Sequence, residues 1–211
     1  MIFEILMQIF NYLLGQLQTN CYLLIHDNEC IIVDPADEAG FLLEELQRKK
    51  LKPVALIATH GHFDHILAVG EIQMSFEIPF YIHQDDLFLV KRLNETVIHF
   101  LGYNPHALQP KNIRDLRIKE SRIKNFKFEI IFTPGHTPGG VCFYFEKENI
   151  VFTGDTLFKE GIGRYDFSYS SYSDLQSSLK KLLHLPKETV VYPGHGEKTE
   201  IKNEMKKIKK T

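Results

Sequence analysis

Thr59-His60-Gly61-His62-Phe63-Asp64-His65 gathers four groups able to bind a metal within six positions. Alternate residues of an extended segment point the same way, so His60 and His62 can converge on one ion. Asp64 and His65 follow at the next turn and can face a neighbouring ion. Just before them, Lys52 to Ala58 reads as a buried strand; just after, Ile66-Leu67-Ala68-Val69-Gly70 reads as the first turns of a helix. The cluster therefore falls on a strand-to-helix loop, where α/β proteins place their chemistry. The competing reading is a solvated loop rich in histidine. Imidazoles beside a buried strand need partners, however, and a metal ion is the common partner of several together.

The 211 residues are 44% hydrophobic, enough for one sizeable core without staples. No Pro/Gly/Ser-rich linker separates the halves, so one domain over residues 1–211 is expected. A formal net charge of −2 predicts no affinity for nucleic acid. The one basic run, Lys198 through Lys210, is interrupted by Glu200 and Glu204 and reads as a solvated terminal helix face. The cysteines Cys21, Cys30 and Cys142 are odd in number and irregularly spaced, which argues against a disulfide framework and for small core residues. A reducing, cytoplasmic home follows as an expectation. The N-terminal apolar residues lack a basic flank and are broken by Glu4, a poor signal peptide, and no run is long enough to span a membrane.

Outward from the histidine loop the elements alternate. Residues 2–10 are β-prone, with a connector from Leu13 to Thr19. Cys21–Ile25 and Cys30–Val33 flank the turn signal Asp27-Asn28 as a hairpin. Asp37 is placed to cap a helix reaching about Lys50, with Phe41, Leu42, Leu46 and Leu51 on one side. After the loop, the pattern predicts a helix over 65–75, a strand at Phe80–Ile82, helical material over 84–101 and a loop from Gly102 to Lys111. Strands are expected at Lys127–Phe132, Val141–Phe145, Ile150–Phe152 and Val190–Tyr192, with a helix from a Ser173 cap to about His184. Two β-rich blocks, each followed by helices, suggest two packed sheets with helices outside: a four-layer αββα α/β sandwich.

Three more ligand-type residues share one pattern, a short apolar strand followed by a tight turn. His136 follows Thr133-Pro134-Gly135, Asp155 follows Thr153-Gly154, and His195 follows Pro193-Gly194. The glycines permit turns that a Cβ would hinder. Singly, each is an ordinary loop residue or Asx-turn. Together with the first cluster they form a set of metal-ligand candidates.

These residues, in this order, resemble the metallo-β-lactamase superfamily over nearly the whole chain. Thr19-Asn20-Cys21-Tyr22, Val33-Asp34-Pro35 and Tyr192-Pro193-Gly194-His195-Gly196 extend the likeness. Within the superfamily the sequence is most similar to the hydroxyacylglutathione hydrolase (glyoxalase II) group, through Thr-His-Gly-His-Phe-Asp-His, Pro-Gly-His-Thr-Pro-Gly-Gly and Thr-Gly-Asp-Thr-Leu-Phe. The resemblance implies an αββα sandwich and two metal ions. His60, His62 and His136 would hold the first, Asp64, His65 and His195 the second, and Asp155 would bridge them. Asp34 would orient a ligand from behind; Ala36 stands where the family commonly has Gly. Imidazole and carboxylate without thiolate suit zinc, and tolerate iron or manganese. The implied activity is hydrolysis of a small acyl thioester by a metal-bridging hydroxide, with Asp64 and Asp155 positioning ions and nucleophile.

Gly161 to Phe167 resembles the Gly-Arg-x-Asp-Phe loop of short glyoxalase II-like proteins. Arg164 could meet a substrate carboxylate or pin the loop through Asp166. Tyr165 and Lys159 are further candidates for the pocket rim. Glyoxalase II carries a helical C-terminal extension that supplies much of its glutathione site; Thr211 follows too soon after His195 to provide one. A smaller, broader thioesterase is expected. The alternatives are a mononuclear iron persulfide dioxygenase using His60, His136 and Asp155, and a lactonase or β-lactamase. The oligomeric state is not legible.

Overall fold

The computed structural model describes residues 7–116 and 120–208. The chain opens with an antiparallel hairpin, β1 (Gln8–Leu14) and β2 (Thr19–His26), and returns through β3 (Glu29–Val33). Helix α1 (Ala39–Arg48) leads to β4 (Lys52–Ile57), α2 (Phe63–Ile66) and α3 (Val69–Ser75). Then come β5 (Phe80–Ile82), a 3-10 turn at Gln84–Asp86, α4 (Leu87–Lys91), α5 (Leu93–Leu101) and β6 (Ile113–Asp115). The second half contains β7 (Glu120–Ile123), β8 (Phe126–Phe132), β9 (Val141–Phe145) and β10 (Ile150–Gly154). It continues with a small ribbon of β11 (Leu157–Phe158) and β12 (Gly161–Ile162), then α6 (Tyr172–Leu182), β13 (Val190–Pro193), β14 (Thr199–Glu200) and α7 (Ile201–Ile208).

Two six-stranded mixed sheets result, ordered β1-β2-β3-β4-β5-β6 and β14-β13-β10-β9-β8-β7. Period-2 alternation along each strand decides the layering. Tyr22, Leu24, Ile31, Val33, Ala55 and Ile57 of the first sheet pack against Phe126, Phe128, Phe143, Phe145 and Phe152 of the second. The intervening residues face outward: Leu23, Ile32 and Leu56 meet Leu42 and Leu46 of α1 and Val69 and Ile72 of α3. On the other side Cys142, Tyr144 and Val151 meet Leu175, Leu179 and Leu182 of α6 and Ile201 of α7. Three apolar seams between four layers make the expected αββα sandwich. All three cysteines are free and buried. No helix among the described residues is long and apolar enough to cross a membrane.

Several boundaries differ from expectation for local reasons. The first strand runs Gln8–Leu14, into the expected connector, because every residue from Gln8 to Leu14 pairs with β2; residues 2–6 lie outside the described residues. Asp37 does not cap α1. Its Oδ1 accepts the N–H of Glu38, and Glu38 takes the cap position in a left-handed conformation, φ 54°. The helix over 65–75 is broken because the Ala68 N–H donates to the Pro35 carbonyl instead of staying in the helical ladder. Helix α6 is capped by Ser171, whose Oγ accepts from the Asp174 N–H, while the Ser173 hydroxyl lies 3.1 Å from that of Ser171. The terminal helix is not a purely solvated face. Ile201 and Glu204 are buried, and Glu204 accepts from Thr199 Oγ1 at 2.9 Å and from the Glu160 N–H at 3.1 Å.

Candidate metal centre

Four strand ends deliver the site. Strand β4 leads into Thr59–His62, after which α2 presents Asp64 and His65. Strands β8, β10 and β13 end beside His136, Asp155 and His195. Backbone bonds stitch these ends together: Val141 N–H to Thr59 O at 2.8 Å, Gly194 N–H to Gly154 O at 2.8 Å, and Asn20 N–H to Gly194 O at 2.8 Å. Two glycines are obligatory. Gly154 has φ +47°, and a Cβ there would lie 2.6 Å from Thr59 Cβ. A Cβ on Gly194 would collide with Asp155 Oδ1 and sit 2.7 Å from His65 Cε1.

The seven side chains read as ligand candidates meet in space. His62 Nδ1 lies 3.0 Å from His60 Nε2 and 2.9 Å from His136 Nε2. On the other side His65 Nε2 is 3.5 Å from Asp64 Oδ2, and His195 Nε2 is 3.2 Å from the same oxygen. Asp155 reaches both groups: Oδ1 is 3.4 Å from His65 Nε2, and Oδ2 is 3.5 Å from His136 Nε2 and 3.7 Å from His195 Nε2. Three donor sets emerge, His60/His62/His136, His60/His65/Asp155 and Asp64/His65/His195, each with its ligand atoms within 4.8 Å of one another.

The outward nitrogens are tied down. His65 Nδ1 donates to Asp34 Oδ2 at 3.0 Å, and Asp34 also accepts from the Thr59 N–H (2.7 Å) and Thr59 Oγ1 (2.8 Å). His136 Nδ1 donates to the Arg164 carbonyl at 2.8 Å, and His62 Nε2 pairs with Tyr169 Oη at 2.8 Å. Thr19 Oγ1 donates to Asp64 Oδ2 at 2.9 Å. Such partners fix which ring nitrogen faces inward, the usual support of a ligating imidazole.

Burial first, and then the neighbouring imidazoles, hold His60 well below its usual pKa; burial and His136 take His62 down to about 3. Both rings are neutral, as ligands must be. Burial works against the charged form of His65, but Asp64, Asp34 and Asp155 outweigh it and hold the ring well above its usual value. Asp155 is pushed up by burial and pulled back further by His65, to about 2.

The fit to metal ions rests on two atoms. His65 Nε2 and Asp155 Oδ1 are buried and find no hydrogen-bond partner among the described residues. A buried orphan donor or acceptor costs about 1–3 kcal/mol, and two that face each other within a nest of imidazoles are what cations would satisfy. The donors are nitrogen and carboxylate oxygen without sulfur, a set suited to divalent ions.

The rim residues stand apart from this cluster. Arg164 forks onto Asp166 with two 2.9 Å bonds and lies 4.5 Å from the Phe167 ring centroid, so its carbonyl rather than its guanidinium touches the site. Lys159 pairs with Glu197, and Tyr165 packs on Tyr172 with ring centroids 4.6 Å apart. Sequence reasoning missed Thr19, Thr59 and Tyr169, and also Phe167, whose ring lies 5.2 Å from His62 and 5.8 Å from His136. Thr19, Thr59 and Phe167 fall inside motifs quoted from the sequence, but their contacts with the ligands, and all of Tyr169's part, are found only through space.

A histidine–carboxylate centre at the strand ends of an αββα sandwich defines a metal-dependent hydrolase. The chain belongs to the metallo-beta-lactamase superfamily, whose family model matches residues 14–195. It is 36% identical to a probable metallo-hydrolase, YqgX, of Bacillus subtilis, over 90% of each chain. It is 35% identical to hydroxyacylglutathione hydrolase GloC of Haemophilus influenzae, over 89% of this chain and 90% of that one. Among solved structures, the BLEG-1 B3 metallo-beta-lactamase superposes with a TM-score of 0.88 at 36% identity, covering 94% of this chain and 97% of that one. TTHA1623 in a di-iron-bound form superposes with a TM-score of 0.85 at 36% identity, covering 93% and 96%.

Proposed function

We propose that this metallo-hydrolase is a binuclear thioester hydrolase of the glyoxalase II type, acting on small acyl thioesters. The observation that carries the reading is Asp155, whose carboxylate lies 3.5 Å from His136 of one donor group and 3.4 Å and 3.7 Å from His65 and His195 of the other. His60, His62 and His136 would hold one ion, Asp64, His65 and His195 the other, and Asp155 would serve both. When bound, such a pair supplies a hydroxide nucleophile near neutral pH and a Lewis acid for the acyl carbonyl. The chain's own residues do the rest. Asp34, Tyr169 and the Arg164 carbonyl orient His65, His62 and His136, and Phe167 walls one side of the site with an apolar ring. The protein's thiols offer no rival nucleophile: burial pushes Cys30 and Cys142 up to about 12, and Cys21 higher still. The kinship with a hydroxyacylglutathione hydrolase supports the thioester, and the di-iron neighbour keeps iron beside zinc as the native metal.

The B3 metallo-beta-lactamase neighbour favours a second reading, a β-lactam substrate. One assay panel separates them: metal-loaded protein offered S-lactoylglutathione, simple acyl thioesters and a chromogenic β-lactam. Thioester turnover at least tenfold above β-lactam turnover is expected, a difference of about 1.4 kcal/mol in the barrier. β-Lactam turnover alone, or oxygen consumption with glutathione persulfide by protein carrying one iron, would overturn the thioesterase reading.

A further inference from the structure

Asp86 closes the turn ahead of α4 and is completely buried. Its Oδ2 accepts from the Gly61 N–H at 2.8 Å and from Thr137 Oγ1 at 2.7 Å, and its Oδ1 accepts from the Gly139 N–H at 2.7 Å. Gly61 is the residue between His60 and His62, and Thr137 is the residue after His136. One carboxylate therefore clasps the backbone of two separate loops, and those loops carry the three histidines of one donor set. The clasp leaves no slack. A Cβ on Gly61 would lie 2.9 Å from the Asp86 carbonyl oxygen, and one on Gly139 would lie 2.8 Å from Asp86 Cγ. Contacts that tight are rarely tolerated for a real side chain, so both loops are pressed against this residue.

The other side of the centre has different anchors. His65 is held by Asp34 and Asp64 by Thr19; His195 follows Gly194, whose N–H bonds to Gly154 O. None of these bonds involves Asp86. The 2.9 Å approach of His136 to His62 depends on how the two loops sit relative to each other, and Asp86 is a buried side chain that bonds to both, beside the backbone bond from the Val141 N–H to Thr59 O.

We propose that Asp86 is a positioning residue that sets the affinity of the His60/His62/His136 ion selectively, leaving the Asp64/His65/His195 ion to its own supports. The proposal rests on the ligand assignment of the preceding section. In Asp86→Asn the amide must turn an NH2 toward a backbone N–H on one of the two loops, so the clasp opens on that side.

Two successive zinc affinities are measured by competition against a chromophoric chelator. Asp86→Asn is expected to lower one of them about tenfold to a hundredfold, the usual effect of losing a supporting partner. The other should stay within about twofold of the parent. In a His62→Ala background, where the first set is already broken, Asp86→Asn should change the remaining affinity by less than about twofold. Thr137→Val removes one of the three donors without touching Asp86 and should weaken the same ion to a smaller degree; Thr137→Ser should restore it. That pair decides the matter if Asp86→Asn does not fold. The role of Asp86 is overturned if both affinities fall together, if the loss persists in the His62→Ala background, or if neither affinity moves while the parent binds two zinc ions. A parent chain that binds no zinc overturns the metal-centre reading itself, and this proposal with it.

Discussion

Replacing Asp34 with alanine tests how far the centre depends on a residue that would bind no metal. Asp34 is buried and takes three donors: the Thr59 N–H, Thr59 Oγ1 and His65 Nδ1. The Thr59 hydroxyl can turn toward His60 Nδ1, 3.1 Å away. The Thr59 N–H and the His65 ring cannot reorient, and two orphaned buried donors cost about 2–6 kcal/mol together. Asp34 also sits at φ 50°, where alanine adds about 1 kcal/mol of left-handed strain. The total, about 3–7 kcal/mol, is a large share of the roughly 5–15 kcal/mol of a typical domain. Urea unfolding of the metal-free protein should therefore show a much lower midpoint at unchanged slope, and zinc affinity should fall about tenfold to a hundredfold as His65 loses its tautomer control. Asp34→Asn keeps one acceptor oxygen and should lose only about 1–3 kcal/mol. An Asp34→Ala protein within about 0.5 kcal/mol of the parent, binding zinc equally well, would refute the reasoning.

Three further outcomes follow from the same geometry. Tyr169→Phe strips His62 Nε2 of its 2.8 Å partner and should weaken zinc binding up to about tenfold in a chelator competition; unchanged binding would remove Tyr169 from the centre. Gly194→Ala drives a methyl group into Asp155 and His65, and should yield protein with less than one tightly held ion per chain by elemental analysis, unlike the parent. Hydrogen bonds from Arg48, then Tyr12, hold Glu45 down from 4.5 to about 2. A carboxylate with a depressed folded-state pKa stabilises above its unfolded pKa and loses that stabilisation as pH falls through the folded one. Glu45→Gln should thus be less stable than the parent at pH 7, with the gap in melting temperature closing between pH 4.5 and about 2; a gap that widened toward acid would contradict the sign.

The parts of the molecule legible in the sequence are those with short-range signatures. His60 to His65 lie close together in the chain, and His136, Asp155 and His195 each follow an apolar strand and a glycine turn. The short apolar runs of β2, β3, β9 and β10 are equally plain, and the order of two β-rich blocks, each followed by helices, carries the four-layer arrangement. Of the residues that hold the ligands from behind, Asp34 is legible through the family resemblance at Val33-Asp34-Pro35, and Tyr169 and Asp86 have no such signature. Tyr169 is 107 positions from His62, and Asp86 is 25 from Gly61 and 53 from Gly139. Asp86 looks like the second half of an ordinary acidic helix start. The short pieces β6, β11, β12 and β14 are two or three residues long, below the length at which alternation can be seen. The cap of α6 falls to Ser171, two residues before the expected Ser173, because its Oγ takes the Asp174 N–H, and α1 starts after a left-handed Glu38 with no side-chain cap because Asp37 bonds the Glu38 N–H instead.

Anomalous diffraction from crystals of the metal-loaded protein tests the central claim most directly. The account predicts two peaks per chain, about 3.5–4 Å apart, one against His60, His62 and His136, the other against Asp64, His65 and His195, with Asp155 reaching both. A single peak, or peaks away from these seven side chains, would contradict it.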